Sequence, residues 1–492
     1  MTQDSARRDS DGSLTADSGW EPTDSAPLVV DLDGTLLRSD LLIEGFLAIV
    51  AANPLAALFS LGSLRHGIAA FKAGIAAHTV DLETLPWNLP FVAWLEAEYA
   101  RGRKIYLASA SDRRWVEAIA AYFGFFAGWF ASDGRINLKG RAKADALRRA
   151  FGEKGFDYAG NESADLTVWA AAAGVLVVNG SSKIQRIVRS RWPSSTNFES
   201  PQPSLKVYGR AIRMHQWLKN LLLLVPALAA HQFNVRTGAV CLIAFLSFSL
   251  CASSAYVLND LIDLGRDRAH TTKRFRPLAA GAVPIRHGLA LFPLLLGSSL
   301  FLALLISLPF VAILATYYVL TLAYSLYLKR QIMIDVVTLA CLYGMRVAAG
   351  GIAIDVHLST WLIAFCIFLF CSLALAKRCI EISSRLASGA GDPKGRAYRS
   401  SDLHVLESLS AGSGFTAVLV FALYVSSPSV TILYRYPEYL WLTSVVLVYW
   451  IGRLLILAHR GDMDDDPVAF AATDWPSLVC VGIAAATFVL SL

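Results

Sequence analysis

The sequence predicts a two-part chain: a soluble α/β domain with a parallel, Rossmann-like sheet and a helical cap, then an all-α polytopic membrane domain of about nine spans. Three observations predict it. The 492 residues are too many for one ordinary domain. The composition is 55% hydrophobic and only 17% charged, where a soluble enzyme is nearer about a quarter charged. The apolar excess is also uneven. Residues up to about Phe198 read as an ordinary globular protein, and from about Trp217 onward apolar runs of membrane-spanning length recur.

Residues 1–27 are rich in Ser, Asp and Thr without an apolar core, which predicts a disordered tail and neither a signal peptide nor an anchor. Over 28–190, short apolar strands at 28–30, 104–108, 156–159 and 175–178 alternate with helical periodicity at 41–76, 90–100, 113–123 and 142–152. Strands separated by helices imply a parallel sheet with crossover connections. The long helical insert at about 38–88 reads as a cap. Residues 191–205, rich in Pro and Ser, read as a linker. The membrane domain then occupies 206–492. Its start, 206–219, is basic with Tyr208, His215 and Trp217, which suits either a headgroup layer or a first helix entering the bundle.

Nine spans are expected at 220–233, 239–258, 289–309, 311–328, 334–353, 361–376, 414–433, 440–457 and 477–492. One set of loops carries the positive charge, including Arg266, Arg268, Lys273, Arg274, Arg276, Lys329, Arg330, Lys377, Arg378, Lys394, Arg396 and Arg399; the opposite set holds only Arg236 and Arg435. Positive-inside placement expects a multi-pass protein of the cytoplasmic (inner) membrane with the N-terminal domain in the cytosol. The seven cysteines lie in or beside apolar segments and match no zinc or disulfide spacing. The net charge of +6 is modest, and no nucleic-acid partner is expected.

Two stretches could hold Mg²⁺ against phosphate oxygens. Val29-Val30-Asp31-Leu32-Asp33-Gly34-Thr35 is a buried strand ending in an acidic turn. Downstream, Asp260, Asp263 and Asp267 are spaced i, i+3, i+7 on one helix face beside Asn259. Carboxylates so placed repel unless cations bridge them, and Mg²⁺ takes a few carboxylates plus substrate phosphates. A solvated acidic helix end, paired with Arg266 and Arg268, is the plainer reading, but acids at a membrane boundary favour function. His270, Lys273, Arg274 and Arg276 follow and could clamp phosphate oxygens or simply obey topology. Arg213, His215, Gln216, Lys219 and Asn220 form another polar cluster. Tyr324, Lys329 and Asp335 precede Arg346, an intramembrane arginine that must find a partner, either Asp335 three turns away or a substrate cavity.

From about Tyr208 onward the chain resembles the UbiA superfamily of intramembrane prenyltransferases. Within it the chain is closest to the decaprenyl-phosphate phosphoribosyltransferase branch. The matching stretches are Arg213–Asn220, Asn259–Gly281, Tyr324–Lys329 with Asp335, Arg346 with Gly350-Gly351, Ala376–Arg378 and Gly395–Arg399. The resemblance implies Mg²⁺-dependent transfer from phosphoribosyl pyrophosphate to a polyprenyl phosphate within the lipid bilayer, with Asp260, Asp263 and Asp267 holding the metal on the donor diphosphate. One departure matters. The superfamily's second acidic motif normally carries several carboxylates, whereas Asp335 stands largely alone with Lys329 and Arg346 as cationic neighbours. That argues against a second held Mg²⁺ and against ordinary aromatic prenylation.

Residues 28–178 resemble the haloacid dehalogenase superfamily of phosphatases. The resemblance implies Asp31 as nucleophile, Asp33 as general acid/base, Ser109 (or nearby Ser111) as phosphate-binding hydroxyl and Lys143 as the cation that steadies the phosphoryl charge. The fourth motif, Gly160-Asn161-Glu162-Ser163-Ala164-Asp165, begins with an amide, so Asp165, possibly with Glu162, is left to supply the metal carboxylate. The implied substrate is the 5-phosphate of a lipid-linked phosphoribose. Two rival readings remain: prenylation of an aromatic acceptor by a prenyl diphosphate, and a transporter or lipid-binding protein with degenerate sites. No inverted repeat supports the latter.

Overall fold

The computed structural model describes residues 26–62, 65, 67–76, 81–133, 136–198, 203–387, 397–427, 430, 434–463 and 466–492. The expected tail up to residue 25, and Lys394 to Arg396 of the phosphoribosyltransferase-like stretch, lie outside them. The chain forms two compact units. One comprises the residues up to Ala211 together with Asp260–Leu289; the other comprises Ile212–Asn259 and Ala290–Leu492.

The first unit is built on six parallel strands: β1 (Leu28–Asp31), β2 (Ile105–Asp112), β3 (Phe126–Ser132), β4 (Asp157–Gly160), β5 (Val175–Val178) and β6 (Thr196–Phe198), in the order β3-β2-β1-β4-β5-β6. β1 and β5 are short apolar runs buried on both faces, as a parallel sheet covered by helices requires. Alternate residues feed two cores: Leu28, Val30 and Leu107 meet Trp115 and Ile119 on one side, and Val29, Ala108 and Tyr158 meet Val168 and Trp169 on the other. The chain turns to opposite sides of β1 to add β2 and β4, so the carboxyl end of β1 lies at the switch point where such sheets bind ligands. The insert forms three helices, Leu41–Ala52, Pro54–Gly62 and Ile68–Ile75, where the sequence periodicity ran unbroken.

Two strands were not expected. β3 is an aromatic run, Phe126-Ala-Gly-Trp-Phe, that follows the helix-ending Gly124 after a single residue, Phe125. β6 falls inside the stretch read as linker: it is three residues long, pairs with β5 from Leu176↔Thr196, and sets Phe198 against Phe91 and Trp94 at ring distances of 5.4 and 4.8 Å. Tertiary pairing and aromatic packing, not local propensity, make it a strand.

The second unit is helical. Among the described residues, seven helices are long and apolar enough to cross a membrane: Val235–Ile262, Ile285–Leu304, Leu308–Leu326, Ile334–Ala353, Thr360–Ala387, Ser400–Val425 and Pro437–Arg460. The expectation of nine is not confirmed, and the two expected spans that fall short lie at the two ends. The first expected span is a 3₁₀ stretch, Met214–Leu224, followed by a short helix, Val225–Ala229, with Pro226 in its first turn. The last, Trp475–Ser491, is apolar but short. Reciprocal serine hydrogen bonds lock helices together: Ser247 Oγ to Ser299 O at 2.8 Å with Ser299 Oγ to Ser247 O at 2.7 Å, and Ser372 with Ser410 likewise. A Cβ on Gly350 would sit 2.1 Å from Leu223 O, so this glycine lets helix Ile334–Ala353 touch the backbone of the 214–224 segment.

Candidate functional sites

The carboxyl ends of β1, β2 and β4 gather one polar site. Lys143, from helix Arg141–Phe151, places Nζ 2.6 Å from Asp31 Oδ1 and 3.0 Å from the Tyr158 hydroxyl. Asp33 accepts from Leu41 N at 2.7 Å and from Ser111 Oγ at 3.0 Å; Ser109 Oγ is farther, at 3.5 Å, and accepts from Ser111 N. Ser111, the nearby alternative, therefore makes the closer contact. Burial pushes the Asp31 carboxyl up to about 7 against the opposing pull of Lys143, and pushes Asp33 up to about 6, with Asp40 adding to it. Burial alone would lower the Lys143 ammonium, but Asp31 and Asp165 more than offset it and hold it above its ordinary value.

In the fourth motif the Asp165 carboxylate is held by the protein itself. Both oxygens of Asp165 are engaged within the protein: Oδ1 takes the Tyr158 hydroxyl at 2.9 Å, and Oδ2 takes Asn161 N and Glu162 N at 2.9 and 3.0 Å. Glu162 pairs with Lys139 at the surface. Asp165 thus organises the loop, while Asn161 Oδ1 is buried without a hydrogen-bond partner. Gly34, at φ +79°, has no room for a Cβ because the Asn161 amide lies 1.9 Å from where it would be. The Asn161 side chain therefore lies beside the Asp31–Asp33 turn, and its oxygen with those carboxylates could serve Mg²⁺, which takes oxygen ligands. Sequence reasoning missed Tyr158, and also Lys72, which reaches from the cap to Ala110 O at 2.7 Å and Asn137 Oδ1 at 3.1 Å. A lone cap lysine offers no spacing signal.

In the segment Asp260–Leu289 the acidic residues do not all share one face. The long helix ends at Ile262, and Asp263 directly precedes a separate short helix, Leu264–Arg268. Asp260 and Asp267 converge on Arg276 Nη1 at 3.1 and 2.6 Å, whereas Asp263 pairs with Arg266 at 3.1 Å. Burial raises the Asp267 carboxyl, with Arg276 opposing. Among the described residues no three His, Cys, Asp or Glu side chains gather closely enough to hold a metal. The guanidinium stands between the two buried carboxylates. A divalent cation could take its place, since both offer hard oxygen ligands. His270, Lys273 and Arg274 are exposed and Arg276 half-buried; Asn259 lies one residue before Asp260 in the last turns of the long helix.

In the helical unit, Arg346 is buried and donates to Asn220 Oδ1 at 2.9 Å, to the Tyr317 hydroxyl at 2.8 Å and to Leu342 O. Its partner is not Asp335. Asp335 is fully buried, 3.3 Å from Arg378 Nε and 2.6 Å from the Tyr398 hydroxyl, so the cationic neighbour of this lone acid is Arg378 rather than Lys329 or Arg346. Tyr324 packs partly buried against the cluster containing Phe248 and Tyr317, and Lys329 lies in the turn Leu328–Arg330. Lys219 contacts Asp466, which also holds Lys377 at 3.1 Å and caps the helix Pro467–Ala471. Burial pushes the Lys219 ammonium down to about 8, with repulsion from Lys377 adding to it and Asp466 opposing. Asp466, Lys377, Arg378 and Tyr398 were not read as site residues. An acid directly before Pro467 is a helix-start signal that could have exposed the first of them.

Residues 220–478, more than half of the chain, match the UbiA prenyltransferase family. The chain belongs to this family, and it is a multi-pass membrane transferase. The uncharacterized protein y4nM of Sinorhizobium fredii is 33% identical over 473 residues, covering 95% of this chain and 91% of its own. The decaprenyl-phosphate phosphoribosyltransferase of Mycolicibacterium smegmatis is 37% identical over 208 residues, 41% of this chain and 65% of its own. Among solved structures, a UbiA homolog from Archaeoglobus fulgidus bound to GPP and Mg²⁺ aligns at TM-score 0.42 and 16% identity over 57% of this chain and 99% of its own.

Proposed function

We propose that the protein is a bifunctional enzyme of the cytoplasmic membrane that transfers phosphoribose from phosphoribosyl pyrophosphate to a polyprenyl phosphate and then removes the 5-phosphate with its cytosolic N-terminal domain. The observation that carries the transferase half is the convergence of Asp260 and Asp267 on Arg276 in a segment rich in further cations. Asp260, Asp263 and Asp267 would hold Mg²⁺, which when bound would offset the negative charge of the leaving diphosphate. Lys273, Arg274 and Arg276 bind the diphosphate oxygens, and a lipid phosphate oxygen forms the new bond to C1 as the C1–diphosphate bond breaks. Lys219 and Arg346 supply buried positive charge for an anionic substrate. The burial of Asp335 against Arg378 favours this donor over a prenyl diphosphate, because it leaves no second open carboxylate cluster.

The phosphatase half rests on the Asp31, Asp33, Ser109/Ser111 and Lys143 constellation. Asp31 attacks phosphorus, Asp33 protonates the departing ribose oxygen and later takes a proton from the hydrolytic water, and Lys143 offsets the phosphoryl charge. Asp31, Asp33 and the Asn161 amide oxygen would hold Mg²⁺ here, with Asp165 fixing the loop.

Membranes containing the protein, incubated with labelled phosphoribosyl pyrophosphate and polyprenyl phosphate, should move label into the lipid fraction. Turnover with a prenyl diphosphate and an aromatic acid instead would overturn the donor assignment.

A further inference from the structure

The first unit joins two stretches far apart in sequence: the N-terminal domain and the acidic segment Asp260–Leu289. Contacts among the described residues make the join. Arg268 meets Glu44 in a two-pronged ion pair, Nη1 to Oε2 at 2.9 Å and Nη2 to Oε1 at 2.7 Å, and its Nε donates to Ala279 O at 3.0 Å. Both side chains are 6% exposed. Gly281, at φ +67°, turns so tightly against the two ends of the cap insert that a Cβ there would lie 3.3 Å from Pro86 and 3.4 Å from Arg38. At the far end the Tyr208 hydroxyl meets His287 Nδ1 at 2.6 Å.

Neither the phosphatase constellation nor the transferase motif needs Glu44 or Arg268. A fully paired, buried, bidentate contact is costly to break, because the survivor is left charged and desolvated. Arg268 follows Asp267 directly, and its Nε fixes Ala279 just beyond Arg276. The pair therefore pins both sides of the Asp267–Arg276 contact. Glu44 lies in the first turn of helix Leu41–Ala52, whose Leu41 N is bonded to Asp33, so the anchor itself is fixed to the turn that follows β1.

We infer that Glu44 is a positioning residue for the transferase: the N-terminal domain is the scaffold that holds the acidic segment in register for a magnesium diphosphate. This rests on the transferase reading of that segment and is independent of phosphatase activity. It makes the N-terminal domain necessary to transfer even where no phosphate is hydrolysed.

The test uses the full chain in detergent, with magnesium pyrophosphate as calorimetric probe and transfer kinetics alongside. Three variants are compared: Glu44→Gln, which strands the Arg268 charge; Glu44→Asp, which keeps the charge and shortens the reach; and Gly281→Ala, which strains the turn without touching the pair. The expected result for the folded variants is about a tenfold loss of magnesium pyrophosphate affinity, the scale typical of residues that orient ligands. Donor KM should rise in proportion, with lipid KM and kcat unchanged. Wild-type pyrophosphate affinity in Glu44→Asp and Gly281→Ala would overturn the inference, as would a loss confined to lipid KM, to kcat or to the folded fraction. A wild-type chain that binds no magnesium pyrophosphate would instead remove the transferase reading of the segment, and the inference with it.

Discussion

Arg346 and Asn220, 126 residues apart, are joined by a hydrogen bond of 2.9 Å from Nε to Oδ1. Asn220 in turn donates to Ser249 Oγ at 2.9 Å, so one amide ties the 214–224 segment to two helices. The contact is possible because Gly350 lets the backbones meet.

This geometry separates two roles for Arg346. Lys at this position cannot reach Asn220, Tyr317 and Leu342 O together, and each buried acceptor left unmet costs about 1–3 kcal/mol. Arg346→Lys should therefore melt earlier in detergent and lose activity. Asn220→Asp keeps the acceptor for Arg346 and adds an ion pair, and the Ser249 hydroxyl can turn to donate to the new carboxylate, so its melting temperature should hold. Its extra negative charge should still lower affinity for a phosphorylated substrate. Thermal melts and substrate titrations on both variants check this; an Asn220→Asp enzyme with wild-type affinity would show that the cation serves folding alone.

A pH dependence follows from Lys219. Its ammonium, pushed down to about 8 by burial with Lys377 adding repulsion, loses its proton as pH rises through that value. Charge available for an anion is full below about 8 and fades above it. The KM of the anionic substrate bound there should rise on the alkaline side. Lys219→Arg should flatten that rise, since arginine stays charged. KM-against-pH profiles that coincide for the two proteins would exclude Lys219 from substrate binding.

The division into an α/β part and a helical part was legible because parallel strands and long apolar helices each impose a strong pattern. β6 was not, because three residues of Thr-Asn-Phe carry no pattern and depend on Leu176, Phe91 and Trp94. At the sites, Asp31 and Lys143 were legible as motif residues, and the fold brings them within 2.6 Å of each other. The partner of Arg346 was not legible. Helical spacing suggested Asp335, but the fold buries Asp335 against Arg378 and brings Asn220 to Arg346 instead. Spacing identifies which face a residue occupies and says nothing of which distant element covers that face.

The acidic segment offers a graded prediction. Asp260 and Asp267 share Arg276, while Asp263 pairs outward with Arg266. Asp260→Asn should nearly abolish transfer while leaving membrane insertion intact, and Asp267→Asn should match it. Asp263→Asn should also be severe if that carboxylate turns inward to the metal. Chelation of divalent cations should stop the wild type. Activity within a few-fold of wild type in all three variants would remove the segment from the mechanism.

The last prediction concerns the phosphatase site, where two substitutions move in opposite directions. Asp31 is within 2.6 Å of Lys143 and is the proposed nucleophile. Asn in its place cannot form the phospho-enzyme, so Asp31→Asn membranes should accumulate lipid-linked phosphoribose at the expense of lipid-linked ribose. Asn161 is the departure from the acidic pattern: its oxygen is unpartnered and its amide lies over Gly34. A neutral amide is a weaker Mg²⁺ ligand than a carboxylate. Asn161→Asp keeps the size and restores the charge, so it should lower the Mg²⁺ concentration needed for half-maximal phosphate release. Both outcomes are read in one assay, by resolving the phosphorylated and dephosphorylated lipid products across a magnesium titration. Identical product ratios in wild type and Asp31→Asn would show that the N-terminal domain does not act on the lipid made by the same chain. An Asn161→Asp variant with an unchanged magnesium requirement would show that this amide is not a ligand.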